Sequence, residues 1–191
     1  MGRGIIKTKP VDIGPSGKIM VTIDDSGDPA TAFDAGTELE YKNDIGVNLS
    51  DEVEFSYDPA TKLAEIKMVT KPGRLITSDS SDDITIASGE VAMIKGAKTE
   101  GKIIVNGGVL AIVENATITG KVQSLIANSF ILANGVTFEG KVESSNGGYL
   151  SLEKCTVYGK VVSDRNEYVG IIGCTVHGKV EVTNAKKYRT S

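Results

Sequence analysis

The chain has 191 residues, 40% of them hydrophobic, 24% charged and only 5% aromatic, with 22 Gly, no Trp and a formal net charge of −4. This length suits one large domain or two small ones, and few aromatics beside many glycines favour thin, turn-rich β structure. The acidic balance argues against a general binder of nucleic acid or anionic membranes, and no apolar run approaches the ~20 residues of a membrane span. Met1-Gly-Arg-Gly-Ile-Ile-Lys7 reads as strand and lacks the apolar stretch of a signal peptide, so a cytoplasmic location is expected. Further short strands are predicted over 18–23, 30–33, 38–41, 52–57 and 64–69. Between them lie turn clusters such as Gly14-Pro-Ser-Gly17, Asp34-Ala-Gly36 and Asp58-Pro59. Apolar residues alternate at Ile19, Val21 and Ile23, at Val53, Phe55 and Tyr57, and at Ala64, Ile66 and Met68. Five or six short strands in this stretch predict a small β-barrel over 1–71.

Gly4-Ile-Ile-Lys7, Val53-Glu-Phe-Ser-Tyr57 and Lys62-Leu-Ala-Glu-Ile66 make this part similar to a cold-shock domain, an OB-like barrel. Such domains stack bases on an aromatic platform over basic surface. Here Ile19-Met20-Val21 stands on the strand that should carry the aromatics, and Phe33 alone remains of the next. Nucleic-acid binding is therefore not the expected role. Asp24, Ser26 and Asp28 have the alternate-oxygen spacing of a calcium loop but no twelfth-position Glu, so they read as an acidic hairpin turn. Pro72-Gly73 marks the join to the second part, and Asp79, Asp82 and Asp83 read as a solvated loop.

The second part, 72–184, repeats. Lys98-Thr-Glu-Gly-Lys-Ile103, Thr117-Ile-Thr-Gly-Lys-Val122, Thr137-Phe-Glu-Gly-Lys-Val142, Thr156-Val-Tyr-Gly-Lys-Val161 and Thr175-Val-His-Gly-Lys-Val180 place Gly-Lys pairs 19 or 20 residues apart. Positions two before, four before and two after each Gly are almost all apolar, which predicts inward-facing columns of a strand. Gly101, Gly120, Gly140, Gly159 and Gly178 fall on the same parity, at a corner with no room for a side chain or with φ > 0. About 19 residues at ~3.3 Å each give a perimeter near ~63 Å, or three short sides. The prediction is an all-β chain: a small barrel followed by a single-stranded parallel β-helix of five to six turns, with a basic tail at 185–191.

Lys102, Lys121, Lys141, Lys160 and Lys179 then form one outer file, read as a solvated face compensated by Glu100, Glu139, Glu143 and Glu181. Cys155 and Cys174 share an inward column with Ala97, Ala116 and Val136 and read as packed thiols, reduced and slow to react. His177, the single His, holds a repeat position filled elsewhere by Glu100, Thr119, Glu139 and Tyr158, and needs no catalytic explanation. Every Gly-Lys is followed by Ile or Val, so no phosphate-binding loop is present; no metal spacing and no cofactor motif is seen. Carboxylate pairs on a β-helix can cleave polysaccharide, but the tight turns leave no long loops for a cleft. No enzyme is expected.

The recurrent Thr-[Ile/Val/Phe]-x-Gly-Lys-Val units over about 75–184 resemble the bactofilins, polymer-forming bacterial cytoskeletal proteins. That resemblance implies a right-handed β-helix and self-association. The barrel would cover one end of the helix. At the other, Val169, Ile171, Val176, Val180 and Val182 lie in the last turn with no amphipathic cap in Asn184–Ser191, which makes them the expected assembly end. The expected function is a structural or scaffold protein whose partner is itself, as dimer or filament. The alternative is a binding module, for single-stranded nucleic acid on the barrel or for glycan on the β-helix.

Overall fold

The computed structural model describes residues 1–10, 16–24, 32–43 and 45–191. All regular structure in it is β, arranged as two compact units, Met1–Arg74 and Leu75–Ser191. The calcium-like spacing at Asp24, Ser26 and Asp28 lies outside the residues whose side chains are described, as does half of the strand predicted over 30–33, whose described residues Ala32 and Phe33 are not in a strand.

The first unit is a closed five-stranded barrel of β1 (Gly2–Thr8), β2 (Gly17–Asp24), β3 (Glu38–Tyr41), β4 (Glu52–Asp58) and β5 (Leu63–Lys71), in the order β1-β2-β3-β5-β4. All pairs are antiparallel except β3 with β5. Ile6, Ile19, Val21, Tyr41, Val53 and Phe55 fill the centre. The expected alternation of Ala64, Ile66 and Met68 breaks at the third residue. Phe55 pairs with Ile66 but Glu54 with Met68, so Lys67 is an extra residue on β5. The bulge reverses parity, leaves Met68 51% exposed and turns Val69 toward the core instead. Phe33 packs edge-to-face on Tyr57, with ring centroids 4.7 Å apart, and so contributes to the core rather than to a base-stacking platform. On the barrel wall Lys7 pairs with Glu38. Burial works to raise the Glu38 carboxyl, but Lys7, helped by Lys18 at 3.4 Å, outweighs it and holds it below its usual value.

The second unit is a parallel solenoid. A partial turn, β6 (Arg74–Ile76) and β7 (Ile84–Ile86), precedes five complete ones. These are β8 (Val91–Lys95), β9 (Lys98–Thr99) and β10 (Ile103–Val105), then β11 (Val109–Val113), β12 (Thr117–Ile118) and β13 (Val122–Ser124). β14 (Phe130–Asn134), β15 (Thr137–Phe138) and β16 (Val142–Ser145) make the third, and β17 (Tyr149–Glu153), β18 (Thr156–Val157) and β19 (Val161–Asp164) the fourth. β20 (Tyr168–Ile172), β21 (Thr175–Val176) and β22 (Val180–Thr183) make the fifth, and β23 (Lys187–Thr190) follows. Equivalent strands stack in register into a seven-stranded, a six-stranded and a five-stranded wall. The predicted basic tail is thus corrected: most of it is β23, the last strand of the tallest wall.

Inside, the predicted columns hold. Ala97, Ala116, Val136 and Cys155 stack in one, Ile118, Phe138 and Val157 in the next, and Ile103, Val122, Val142 and Val161 in the third, all buried. Each large side chain so buried contributes roughly 1.5–3 kcal/mol. The tallest wall adds Leu110, Ile112, Ile131, Leu150, Leu152 and Val169 to the same core.

Candidate functional site

Each turn has three corners, and the sequence places their demands unevenly. The corner after the tallest wall is left-handed: Gly96, Glu114, Gly135, Lys154 and Gly173 have φ between 52° and 66°. The Gly-Lys corner is not. There a Cβ on Gly140 would lie 2.7 Å from the carbonyl carbon of Gly120 and 2.8 Å from the carbonyl oxygen of Thr119, and still nearer the oxygen of Gly120. Gly120, Gly159 and Gly178 meet the preceding Gly in the same way, and Gly101 meets Asp82. Of the two reasons expected for Gly at this corner, lack of room applies and positive φ does not, and the crowding comes from the neighbouring turn rather than from the interior. The missing side chain would run along the solenoid axis into the turn beneath.

Three lysines of the predicted file have carboxylate partners. Lys121 and Lys141 both reach Glu143, at 2.5 and 3.0 Å, and Lys179 reaches Glu181 at 2.8 Å. Hydrogen bonds from Lys121 and Lys141 hold the Glu143 carboxyl below its usual value despite partial burial. A depressed carboxyl stabilises the fold above the ordinary carboxylate range and ceases to do so as pH falls through it. Glu143→Gln should therefore cost less than ~1 kcal/mol at neutral pH and nothing near pH ~3, read from urea midpoints at both values. An equal loss at both would remove the ionic explanation.

The two ends of the solenoid differ. At the first, the loop read as solvated does specific work: Asp79 accepts from the backbone N–H of Lys98, and Asp83 from that of Lys102, each at 2.7 Å. Between them Ser80 bridges to the strand of Thr99, with Ser80 N–H donating to Lys98 O at 2.9 Å. Carboxylates thus stand where carbonyls of a lower turn would be, a side-chain cap on an open parallel edge. At the far end β21, β22 and β23 are the last strands of their sheets. Val169 and Ile171, expected to be exposed here, are buried beneath β23, where they pair with Tyr188 and Thr190. Val176 and Val182 are partly buried and Val180 is 38% exposed. Tyr188, which the sequence reading assigned to a tail, joins them at 46% exposure. Only the 19-residue step from Val169 could have pointed to it.

Near this end Tyr158 and His177 stack face to face on successive turns, with centroids 4.7 Å apart. The cysteines also stack. Cys155 is buried, but Cys174 is only partly so, and both are free thiols. The expectation that both are equally shielded is corrected for Cys174, because it lies in the last complete turn. Cys155 hydrogen-bonds the Cys174 sulfur and pulls its pKa down to about 7, while its own is pushed up.

A scan against protein-family models found no match, and searches of the curated proteins and of the solved structures found none. The likeness to bactofilins therefore rests on the repeat units alone. Among the described residues no helix is long and apolar enough to cross a membrane, and no group of three or more His, Cys, Asp or Glu is placed to hold a metal ion.

Proposed function

We propose that this chain is a non-enzymatic structural protein that associates with further copies of itself through the solenoid end carrying Val176, Val180, Val182 and Tyr188. The contrast between the two ends carries this reading. Asp79 and Asp83 occupy backbone donors at the first end, whereas apolar side chains and terminal strands stand together at the second. Burying such side chains and pairing such strands both favour contact. The capped β9 edge opposes head-to-tail growth on that wall, so the favoured contact is symmetric and closes as a dimer. The resemblance of the repeat units to a polymer-forming family points to self-association as well.

Light scattering on the 191-residue chain tests this. The parent should have the mass of a dimer, retained at high salt because the contact is apolar. Val180→Lys with Val182→Lys should give a monomer with an unchanged circular dichroism spectrum, since the changes fall only on the terminal strand β22. A parent that is monomeric at high concentration would end the proposal. Association that weakens steeply with salt would favour the nucleic-acid alternative instead.

A further inference from the structure

Thr156 and Val157 pair with Thr175 and Val176, and Thr175 N–H donates to Cys155 O at 2.9 Å. Cys155 and Cys174 therefore occupy equivalent positions, each immediately before one of two neighbouring strands. Neighbouring strands lie ~4.8 Å apart, inside the ~4.4–6.8 Å between Cα atoms that a disulfide needs. The side chains point the same way. Cys155 N–H donates to Cys174 Sγ at 3.4 Å, the Cys155 thiol donates to Glu153 O at 3.2 Å, and the Cys174 thiol donates to Leu152 O at 3.3 Å.

We propose that Cys155 and Cys174 are a redox-modification site, a dithiol that a peroxide oxidises to a disulfide clamping the last complete turn onto the one beneath it. Access orders the steps. Cys174 is partly exposed and Cys155 is 1% exposed, so a peroxide reaches Cys174 first. The Cys174 thiolate attacks one peroxide oxygen, the O–O bond breaks, and sulfenic acid and water result. The Cys155 sulfur then attacks the Cys174 sulfur, and the Cys155 proton leaves with the sulfenic hydroxyl as a second water. Two thiols and one hydrogen peroxide become one disulfide and two waters.

The site does not depend on self-association, because both sulfurs belong to one chain. The test is titration of the 191-residue protein with hydrogen peroxide, followed by non-reducing digestion and mass spectrometry. The expected product is a monomer-linked peptide pair containing Cys155 and Cys174, lighter by two hydrogens, with a thermal midpoint raised by roughly 5 °C or more and reversed by a thiol reductant. Cys155→Ala should stop at a Cys174 sulfenic acid that dimedone captures, with no rise in midpoint. Cys174→Ala should leave Cys155 untouched. Both replacements match the Ala97 and Ala116 of the same column, so the fold is retained. Both thiols still titrating after peroxide, cross-links only between chains, or over-oxidised Cys174 beside a free Cys155 would each overturn the proposal.

Discussion

Gly140→Ala should lower stability by about 3 kcal/mol or more and the thermal midpoint by roughly 6–12 °C, although it adds one methyl group to a half-exposed position. The methyl has nowhere to go: the backbone of Gly120 and Thr119 lies under it, at 2.7 and 2.8 Å. Backbone cannot rotate aside as a flexible side chain does, so relief requires adjacent turns to part. Their separation is set by the ladder itself, for example by the bonds from Val122 N–H to Lys141 O at 2.9 Å and from Glu139 N–H to Ile118 O at 2.8 Å. Gly135 provides the control. It lies on the left-handed corner at φ 66° with nothing within 4 Å of a would-be Cβ. Gly135→Ala should cost about 1–2 kcal/mol, the intrinsic cost of that conformation, and Gly135→Asn less. Differential scanning calorimetry of the variants separates the two reasons for glycine. Equal losses at 135 and 140, or a Gly140→Ala midpoint within a degree of the parent, would show that contact between turns is not what requires glycine.

Asn166→Leu should cost about 3 kcal/mol even though it replaces a buried polar side chain by an apolar one of similar shape. Asn166 is 1% exposed, and it ties together two successive turns at one corner. Its amide nitrogen donates to Ser144 O at 3.1 Å, Ser144 Oγ at 3.0 Å and Ser163 Oγ at 2.8 Å, while its oxygen accepts from Gly148 N–H at 3.1 Å. Leucine would leave the buried Gly148 donor without this acceptor and two buried hydroxyls without their amide. Leaving a buried group unsatisfied costs about 1–3 kcal/mol, which outweighs the gain from the apolar side chain. Ser163→Ala, which removes one bond and keeps the Gly148 contact, should cost roughly 1 kcal/mol. Urea midpoints of both variants provide the measurement; an Asn166→Leu protein as stable as the parent would show that the network is incidental.

The parts of this molecule that could be read from residue order alone are those governed by strand alternation and by one steric rule. The Gly-Lys pairs keep their spacing because every turn must pass its neighbour at that corner, and the inward columns follow from parity around them. Along the tallest wall the spacing is less regular: Val91 to Val109 is 18 residues, Val109 to Phe130 is 21, and Phe130 to Tyr149 is 19. The other corners absorb these differences, Glu114 and Asn115 both turning left-handed in one and Leu125 to Ser129 lengthening another. Barrel strands were likewise legible from alternation, except where the bulge at Lys67 reversed it at Met68.

What residue order determined, then, is the fold class, the repeat, its corner and the identity of the core columns, because each is set by contacts that recur every turn. Three features were decided only in three dimensions: the acidic cap of Asp79 and Asp83, the rung made by Lys187–Thr190 and the Asn166 network. The cap and the network each occur once, so no period exposes them, and the rung keeps the period without the Gly-Lys unit that marks the other turns. Asp79 and Asp83 look like any acidic loop until the turn above presents its N–H groups, and Lys187-Tyr-Arg-Thr190 looks like a basic tail until β20 offers an edge to pair with. A repeat advertises itself through its interior, where every turn meets the same neighbours. Its ends meet different ones, and those neighbours are supplied by the fold.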